Sequence, residues 1–200
     1  MAQISIAALV AAVRSGESLI SFPTDTVPAM ATLPAHAAQI FAAKQRQPDK
    51  PLILMAAQAQ DLWPFVQGTQ QERALWQAMA DQYWPGALTL VLPASHRVPA
   101  VINPLDPTTI GLRVPRASLA QLILQQTGPL ATTSVNRSGQ PALESLADIN
   151  ADFPQLLTPL ASQWRDLPMG NKKPALPSTV AQWTNPNWTI LRQGTLYLDK

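Results

Sequence analysis

Helical and extended patterns alternate along most of the chain. Apolar residues recur at helical spacing in "SIAALVAAVRSG", where Ser5 is a candidate N-cap and Gly16 is placed to end the helix. Three more segments carry the helical pattern: "AHAAQIFAAKQR", "QERALWQAMADQYW" and "SLAQLILQQ". Short apolar runs typical of strands stand beside them: "LISF", "PLILMA", "ALTLVL", "TIGLRV" and "PLATTS". This order predicts a sheet with helices packed on it.

The pattern weakens after Gly139, in a part rich in Pro and Trp that ends with two strand-like runs, "STVAQW" and "WTILRQ". Neighbouring strands with no helix between them favour antiparallel pairing. We therefore predict an α+β (mixed α/β) fold, with a twisted sheet of parallel and antiparallel strands, in a single domain over residues 1–200. Residues 166–178, "DLPMGNKKPALPS", are the candidate for a long loop or flap.

Composition excludes several classes of protein. With 200 residues, 46% hydrophobic and 13% charged, the chain is typical of a globular protein. It has no cysteine, which excludes disulfides, thiolate zinc sites and cysteine nucleophiles. The first residues lack a basic leader and no apolar run is long enough for a membrane span, so we expect a cytoplasmic protein.

Several common catalytic motifs are also missing. The sequence contains no phosphate-binding G-x-x-x-x-G-K-[ST], no G-x-G-x-x-G and no G-x-S-x-G. His36 and His96 lack the spacing of metal ligands, and no metal-binding residue is predicted. The net charge of +2 is too small to indicate nucleic-acid binding by itself. An enzyme of this composition would act by positioning and charge stabilisation.

Two polar features remain as candidates for a site. Lys44, Arg46 and Lys50 stand together in "KQRQPDKPL", and small hydrogen-bonding residues fill 132–139, "TTSVNRSG", where a predicted strand ends. Such a run can be an ordinary turn, in which Ser, Thr and Asn bond their own backbone. It can equally be the wall of a ligand site, so both interpretations stay open at this point.

Seven segments from about Ser21 to Gly194 are informative when read in order: "FPTDTV", "KQRQPDKPL", "YWPGALTLVL", "TIGLRVP", "PLATTSVNRSG", "PSTV" and "ILRQG". In sequence and spacing they resemble the YrdC/YciO/YwlC family of threonylcarbamoyl-adenylate synthases. The resemblance implies a YrdC-like domain whose twisted sheet forms a concave basic cavity. It also implies that L-threonine, bicarbonate and ATP are joined into threonylcarbamoyl-adenylate with release of pyrophosphate. A partner transferase would then modify the adenosine beside the anticodon of tRNA.

This chemistry suits the residue types present. A carbamate is itself an oxygen nucleophile, so its attack on the α-phosphate needs no protein nucleophile. Lys and Arg side chains with hydroxyl donors would counter the repulsion between carboxylate, carbamate and triphosphate. Mg²⁺ is expected on the phosphates, with few protein ligands.

The resemblance also assigns roles to individual residues. Catalytic roles fall to Lys44 and Arg46; ATP binding to Arg46, Lys50, Thr109, Asn136 and Arg192; and threonine binding to Thr26, Arg113, Ser134 and Ser178. Trp84, Pro85 and Gly86 are expected to shape a turn and the core.

Four positions depart from the family's pattern. Pro28 stands where a tyrosine is common, Gln47 where a proline follows K-x-R, Met55 where a histidine is frequent, and Glu144 where a hydroxyl residue is frequent. At Pro28 we expect a looser amino-acid pocket that accepts serine as well as threonine. The alternative function is a divergent, non-catalytic paralogue that binds nucleotide or double-stranded or otherwise structured RNA through the same cavity.

Overall fold

The computed structural model describes residues 3–47, 49–163 and 176–198. Its strands are β1 (Gln3–Ile4), β2 (Ile20–Phe22), β3 (Ala29–Thr32), β4 (Ile53–Met55), β5 (Leu88–Pro93), β6 (Thr109–Arg113), β7 (Leu130–Ser134), β8 (Thr158–Pro159), β9 (Thr179–Trp183) and β10 (Trp188–Arg192). Its α-helices are α1 (Ile6–Arg14), α2 (Ala38–Lys44), α3 (Gln70–Tyr83), α4 (Ser118–Thr127) and α5 (Leu146–Asp152).

Eight of these strands form one sheet in the order β10-β9-β5-β6-β4-β7-β3-β2. The pairs β4–β6 and β5–β9 are parallel, and the other neighbours are antiparallel. The predicted mixed sheet flanked by helices is therefore confirmed. A second, two-stranded sheet pairs β1 with β8.

One face of the sheet packs against the larger apolar core, and the other face can form a site. Side chains alternate along each strand, so residues that are neighbours in sequence point to opposite faces. Leu54, Leu90 and Leu112 are paired across adjacent strands and are completely buried in the larger apolar core. The residues next to these leucines along each strand point to the opposite face of the sheet, where they can form the floor of a site.

Helix ends follow local signals in the sequence. The Ser5 side chain accepts a hydrogen bond from Ala8 N at the start of α1, as predicted. Helix α3 starts with a capping box, in which Thr69 and Glu72 each bond the other's backbone N–H. Helix α2 ends at Lys44 because Gln45 adopts the left-handed conformation, with φ of 48°. The basic segment after α2 is thereby turned away from the helix axis.

Some elements were not predicted. Strand β3 is a short run directly after Pro28, and α5 has only seven residues in a part of the chain with weak periodicity. The candidate flap lies outside the described residues from 166 to 175, and the single-domain assignment stays a prediction. Within the described ranges no helix has the length and apolarity needed to cross a membrane.

Candidate active site

A cavity of about 780 Å³ lies on the face of the sheet opposite the larger core. Its floor is a row across four strands, in which Val91, Gly111, Ile53 and Thr132 are successive cross-strand partners. Gly111 keeps the centre of the floor low, because a Cβ there would lie 2.7 Å from Ile53 Cγ2. The depth of the cavity therefore depends on the absence of a side chain at Gly111.

Lys44 lies at one end, behind the cavity wall. It is only 1% exposed, and its Nζ donates hydrogen bonds to Ser134 O and, at 3.0 Å, to Asn136 Oδ1. Burial, and then the positive charges of Arg46 and Lys50, lower the pKa of Lys44 from 10.5 to about 7. This amine is thus poised between its charged and neutral forms at physiological pH.

Asn136 holds this end of the site together. Its Oδ1 accepts from Ser134 Oγ at 2.6 Å as well as from Lys44. Its Nδ2 donates to Arg137 O at 2.8 Å and to Gln140 O at 2.7 Å, which fixes the turn after β7. The polar run "TTSVNRSG" is therefore both a turn that bonds its own backbone and a wall of the cavity.

Arg46 and Lys50 belong to the segment that follows α2. Arg46 donates from Nε to Lys50 O at 2.8 Å and from Nη2 to Pro51 O at 3.0 Å, so backbone carbonyls fix the plane of its guanidinium. Lys50 Nζ donates to Ser138 Oγ at 3.4 Å, across the cavity's rim. The charged groups of Arg46 and Lys50 are thereby held near Lys44, and the carboxylate of Asp49 lies close to Arg46.

Arg113, at the end of β6, is bound on three sides. Its Nη2 forms an ion pair with Asp25 Oδ1 at 2.9 Å, Nη1 donates to Thr26 Oγ1 at 2.7 Å, and Nε donates to Gly86 O at 3.0 Å. Gly86 lies in the turn after α3, where Trp84 is buried and donates from Nε1 to Leu88 O at 2.8 Å. The turn thus supports the arginine as well as the core.

Arg192, from β10, approaches the same region. It donates to Ser178 O from Nε at 3.1 Å and from Nη2 at 2.9 Å, and Ser178 Oγ lies 2.8 Å from Thr89 Oγ1. Burial, and then the charge of Arg113, lower the pKa of Arg192. The two guanidinium groups therefore repel each other across this end of the cavity.

Thr109 lies at the cavity's edge in a small polar network. Its Oγ1 donates to Asp106 Oδ2 at 3.2 Å and accepts from Asn103 Nδ2 at 3.0 Å. Hydrogen bonds, chiefly from the Thr108 hydroxyl, lower the pKa of Asp106. The hydroxyl of Thr109 is thus already occupied on both its donor and its acceptor side.

The structure brings the residues expected at the site around one cavity. Those that line it are Thr26, Arg46, Lys50, Thr109, Arg113, Ser134, Asn136, Ser178 and Arg192, whereas Lys44 lies directly behind Ser134 and Asn136. The residues singled out by sequence thus share one place in the fold.

Sequence reasoning missed four neighbours of these residues: Asp25, Thr89, Asn103 and Asp106. Asp25 stood inside the quoted "FPTDTV", and the expectation of a buried arginine would have directed attention to it, because buried charges need partners. Nothing local in the sequence marked the other three.

The departures from the family's pattern fall in two places. Pro28 and Met55 line the cavity. Glu144 and Gln47 are exposed and are not among the lining residues. The carboxylate of Glu144 therefore does not point at this cavity.

Sheet, cavity and charge together define a class: a protein with a concave site lined by basic residues on one face of a mixed sheet. The family model described as "Telomere recombination", for Sua5, YciO and YrdC proteins, matches residues 12–194. The chain belongs to this family.

Three relatives are informative. A threonylcarbamoyl-AMP synthase of Chromohalobacter salexigens is 36% identical over 157 residues, covering 76% of this chain and 82% of that protein. One of Pyrococcus abyssi is 34% identical over 193 residues, covering 94% of this chain and 53% of that protein. The crystal structure of P. abyssi Sua5 complexed with L-threonine superposes with a TM-score of 0.79 at 29% identity, covering 98% of this chain and 56% of that one. The present chain thus spans about half the length of the P. abyssi protein.

Proposed function

We propose that the protein is a threonylcarbamoyl-AMP synthase. It joins L-threonine, bicarbonate and ATP into threonylcarbamoyl-adenylate and pyrophosphate, for the modification of tRNA. The observation that carries this proposal is the convergence of two differently built cationic groups, one around Lys44 and one around Arg113, on a single cavity. Relatives with this name, and one solved with L-threonine, support it.

The amino acid occupies the end at Arg113. The guanidinium binds the carboxylate, and the hydroxyls of Thr26 and Ser178 are the neutral partners of the amino acid, together with Ser134, which also lines the cavity. Pro28 and Met55 add apolar lining, so we expect discrimination between threonine and serine to be weak.

ATP takes the end lined by Arg46 and Lys50, with Lys44 behind the wall formed by Ser134 and Asn136, and extends past Thr109 towards Arg192 at the other end. Arg46 keeps Nη1 without a protein acceptor among the described residues, so this nitrogen is available to a phosphate. Asn136 has both amide hydrogens bonded to carbonyls. Its part in ATP binding is therefore to hold Lys44 and the turn in place.

The site's residues fit a Mg²⁺ ion that is bound mainly by phosphates. Among residues 3–47, 49–163 and 176–198, no group of three or more His, Cys, Asp or Glu side chains could hold a metal. Asp49, beside Arg46, is the carboxylate near the basic end, while Asp106 is already bonded to threonines. A bound Mg²⁺ would supply additional neutralisation of the triphosphate.

The reaction requires positioning and charge neutralisation. The threonine amine first displaces a hydroxyl group of bicarbonate, which leaves as water, and the carbamate is formed. A carbamate oxygen then attacks the α-phosphorus, the new P–O bond forms, and the bond to the pyrophosphate oxygen breaks. Negative charge shifts to the leaving group, where the protonated Lys44 and Arg46 stabilise it. We further propose that this occurs in the cytoplasm and that the adenylate passes to a separate transferase acting on tRNA.

The test is formation of the adenylate, detected by mass, together with pyrophosphate release. Threonine, bicarbonate, ATP and Mg²⁺ are each omitted in turn, and serine replaces threonine in a parallel reaction. We expect product only in the complete mixtures, and a loss of roughly tenfold or more in Arg46→Ala, since a charge-assisted contact is removed. Arg97→Ala, at an exposed position outside the cavity, is the matched control.

Binding of ATP without turnover in any mixture would contradict the synthase and favour the non-catalytic paralogue. A duplex RNA added to the same preparation then tests the RNA-binding form of that alternative.

A further inference from the structure

Asp25 is a carboxylate next to the cavity that the reaction itself does not use. Its side chain is 7% exposed, and its Oδ1 accepts two hydrogen bonds, from Arg113 Nη2 at 2.9 Å and from Arg116 N at 2.9 Å. Asp25 is not among the residues that line the cavity. Asp25 can therefore act on a ligand only without touching it, through the position of Arg113 and through its own charge.

The loop that carries Asp25 is fixed independently of Arg113. Thr24 Oγ1 accepts from Thr26 N at 3.1 Å and donates to Val27 O at 2.8 Å, which closes a tight turn between β2 and β3. This turn presents the Asp25 carboxylate and the Thr26 hydroxyl together to the same guanidinium. The Asp25 carboxylate, the Thr26 hydroxyl and Gly86 O are thus three acceptors that define the position of Arg113 before any ligand binds.

The charge of Asp25 also bears on Arg192. In the described part of the chain, Arg113–Asp25 is the one ion pair, and Arg192 is bonded only to the carbonyl and hydroxyl of Ser178. Two arginines that repel each other thus share one counter-charge. Burial lowers the pKa of Arg113, and the charge of Asp25 opposes that shift.

We infer that Asp25 is a positioning residue: it holds Arg113 in the orientation that receives the amino acid's carboxylate, and it balances the arginine pair so that this end favours a zwitterion. The inference rests on the proposed function, since it takes Arg113 as the carboxylate's partner. Asp25 contacts no reacting atom in this scheme.

The two substrates should respond differently when the charge of Asp25 is removed. Asp25→Asn keeps an acceptor for Arg113 and Arg116 N but adds a net positive charge near the cavity. Threonine should bind less well, because a neutral amide oxygen holds the guanidinium of Arg113 less firmly than a carboxylate does. ATP, a polyanion, should bind equally well or more tightly, because the cavity has become more positive. A merely structural role would weaken both.

The experiment measures threonine KM, kcat and ATP affinity for wild type, Asp25→Asn, Asp25→Glu and Asp25→Ala. We expect Asp25→Asn to raise the threonine KM roughly tenfold at a kcat within about twofold of wild type, and Asp25→Ala to raise it further. Asp25→Glu, which restores the charge, should recover part of the loss. Asp61→Asn, an exposed carboxylate outside the cavity, serves as the control.

An unchanged threonine KM in Asp25→Asn and Asp25→Ala, or parallel losses for threonine and ATP, would overturn the inference. If the wild type forms no adenylate, the proposed function fails, and calorimetric titration of L-threonine still decides the role of Asp25. Weaker threonine binding in Asp25→Asn would then uphold it, and absence of threonine binding in the wild type would overturn it as well.

Discussion

The two ends of the cavity stabilise their cations in opposite ways. At the Lys44 end, three basic side chains are held by backbone carbonyls, an amide and a hydroxyl, and the buried amine has its pKa lowered to about 7. At the Arg113 end, a buried guanidinium is paired with Asp25 at 2.9 Å. An end whose basic side chains form no ion pair among the described residues suits a triphosphate, whereas an end where a carboxylate offsets part of the charge of two arginines suits a molecule that carries both charges.

The largest expected effect is at the paired end. Arg113→Ala would leave Asp25 buried without its partner and remove the contacts to Thr26 and Gly86. Breaking a buried pair from one side destabilises by about 3 to 5 kcal/mol, so we expect a loss of this size in the free energy of unfolding. Urea titration measures it.

Arg116→Ala is the comparison, because within the described part of the chain its exposed side chain donates only to Pro85 O. A small change in that variant and a large one in Arg113→Ala would establish the difference. Equal losses in the free energy of unfolding would mean that the ion pair stabilises the fold no more than an exposed hydrogen bond does.

At the unpaired end the expected effect is on binding instead of stability. Lys44→Met keeps the length of the side chain and removes the charge, so we expect ATP affinity to fall by about 1.5 to 3 kcal/mol, or roughly tenfold and more. The fold should persist, because the methionine avoids the burial of an amine. Calorimetry with ATP, beside a melting curve, checks both; undiminished ATP affinity would contradict the assignment.

The floor between the two ends should show an intermediate response. In Gly111→Ala the new Cβ would lie 2.7 Å from Ile53 Cγ2 and 3.4 Å from Thr89 Cγ2. Overpacking of this kind destabilises by about 1 to 3 kcal/mol, and the raised floor should weaken ATP and threonine alike. Gly139→Ala is the control, because no atom lies within 4 Å of the added Cβ there but φ is +83°. Its loss of stability measures backbone strain alone, whereas the loss in Gly111→Ala measures overpacking.

A separate expected effect is a pH dependence of the free energy of unfolding of the ligand-free protein. Because the pKa of Lys44 is about 7 when folded and near 10.5 when unfolded, the unfolded chain binds more protons between these values. The contribution of Lys44 to stability therefore rises with pH across that window. Chemical denaturation at several pH values should show this rise in wild type and a flatter course in Lys44→Met. Identical slopes would contradict the lowered pKa.

Sequence reasoning succeeded where the signals were local. The cap at Ser5, the antiparallel pairing of the two late strands and the clustering of Lys44 with Arg46 could all be inferred from adjacent residues. The contacts that organise the site could not, because they join distant positions. Lys44 and Asn136 are 92 residues apart, and Arg113 and Asp25 are 88. The family resemblance placed three of these four residues at one site, but it gave no reason to expect an ion pair.

The missed elements have a similar cause. Strand β3 has four residues and lies between β2 and β7, so its existence depends on pairing with strands from elsewhere in the chain. Thr109 illustrates the limit for single roles. The motif marked it as a ligand, while the structure shows its hydroxyl bonded to Asn103 and Asp106.

Counting protons during binding tests the contrast between the two ends most directly. Calorimetric titrations at pH 8, repeated in buffers of different ionisation enthalpy, report the protons taken up when ATP or L-threonine binds. With a pKa of about 7, Lys44 is mostly neutral at pH 8, and nearby phosphates would raise that pKa. We expect ATP binding to take up close to one proton in wild type and none in Lys44→Met, and threonine binding to take up none. Proton uptake with threonine but not with ATP would contradict the assignment of the two ends.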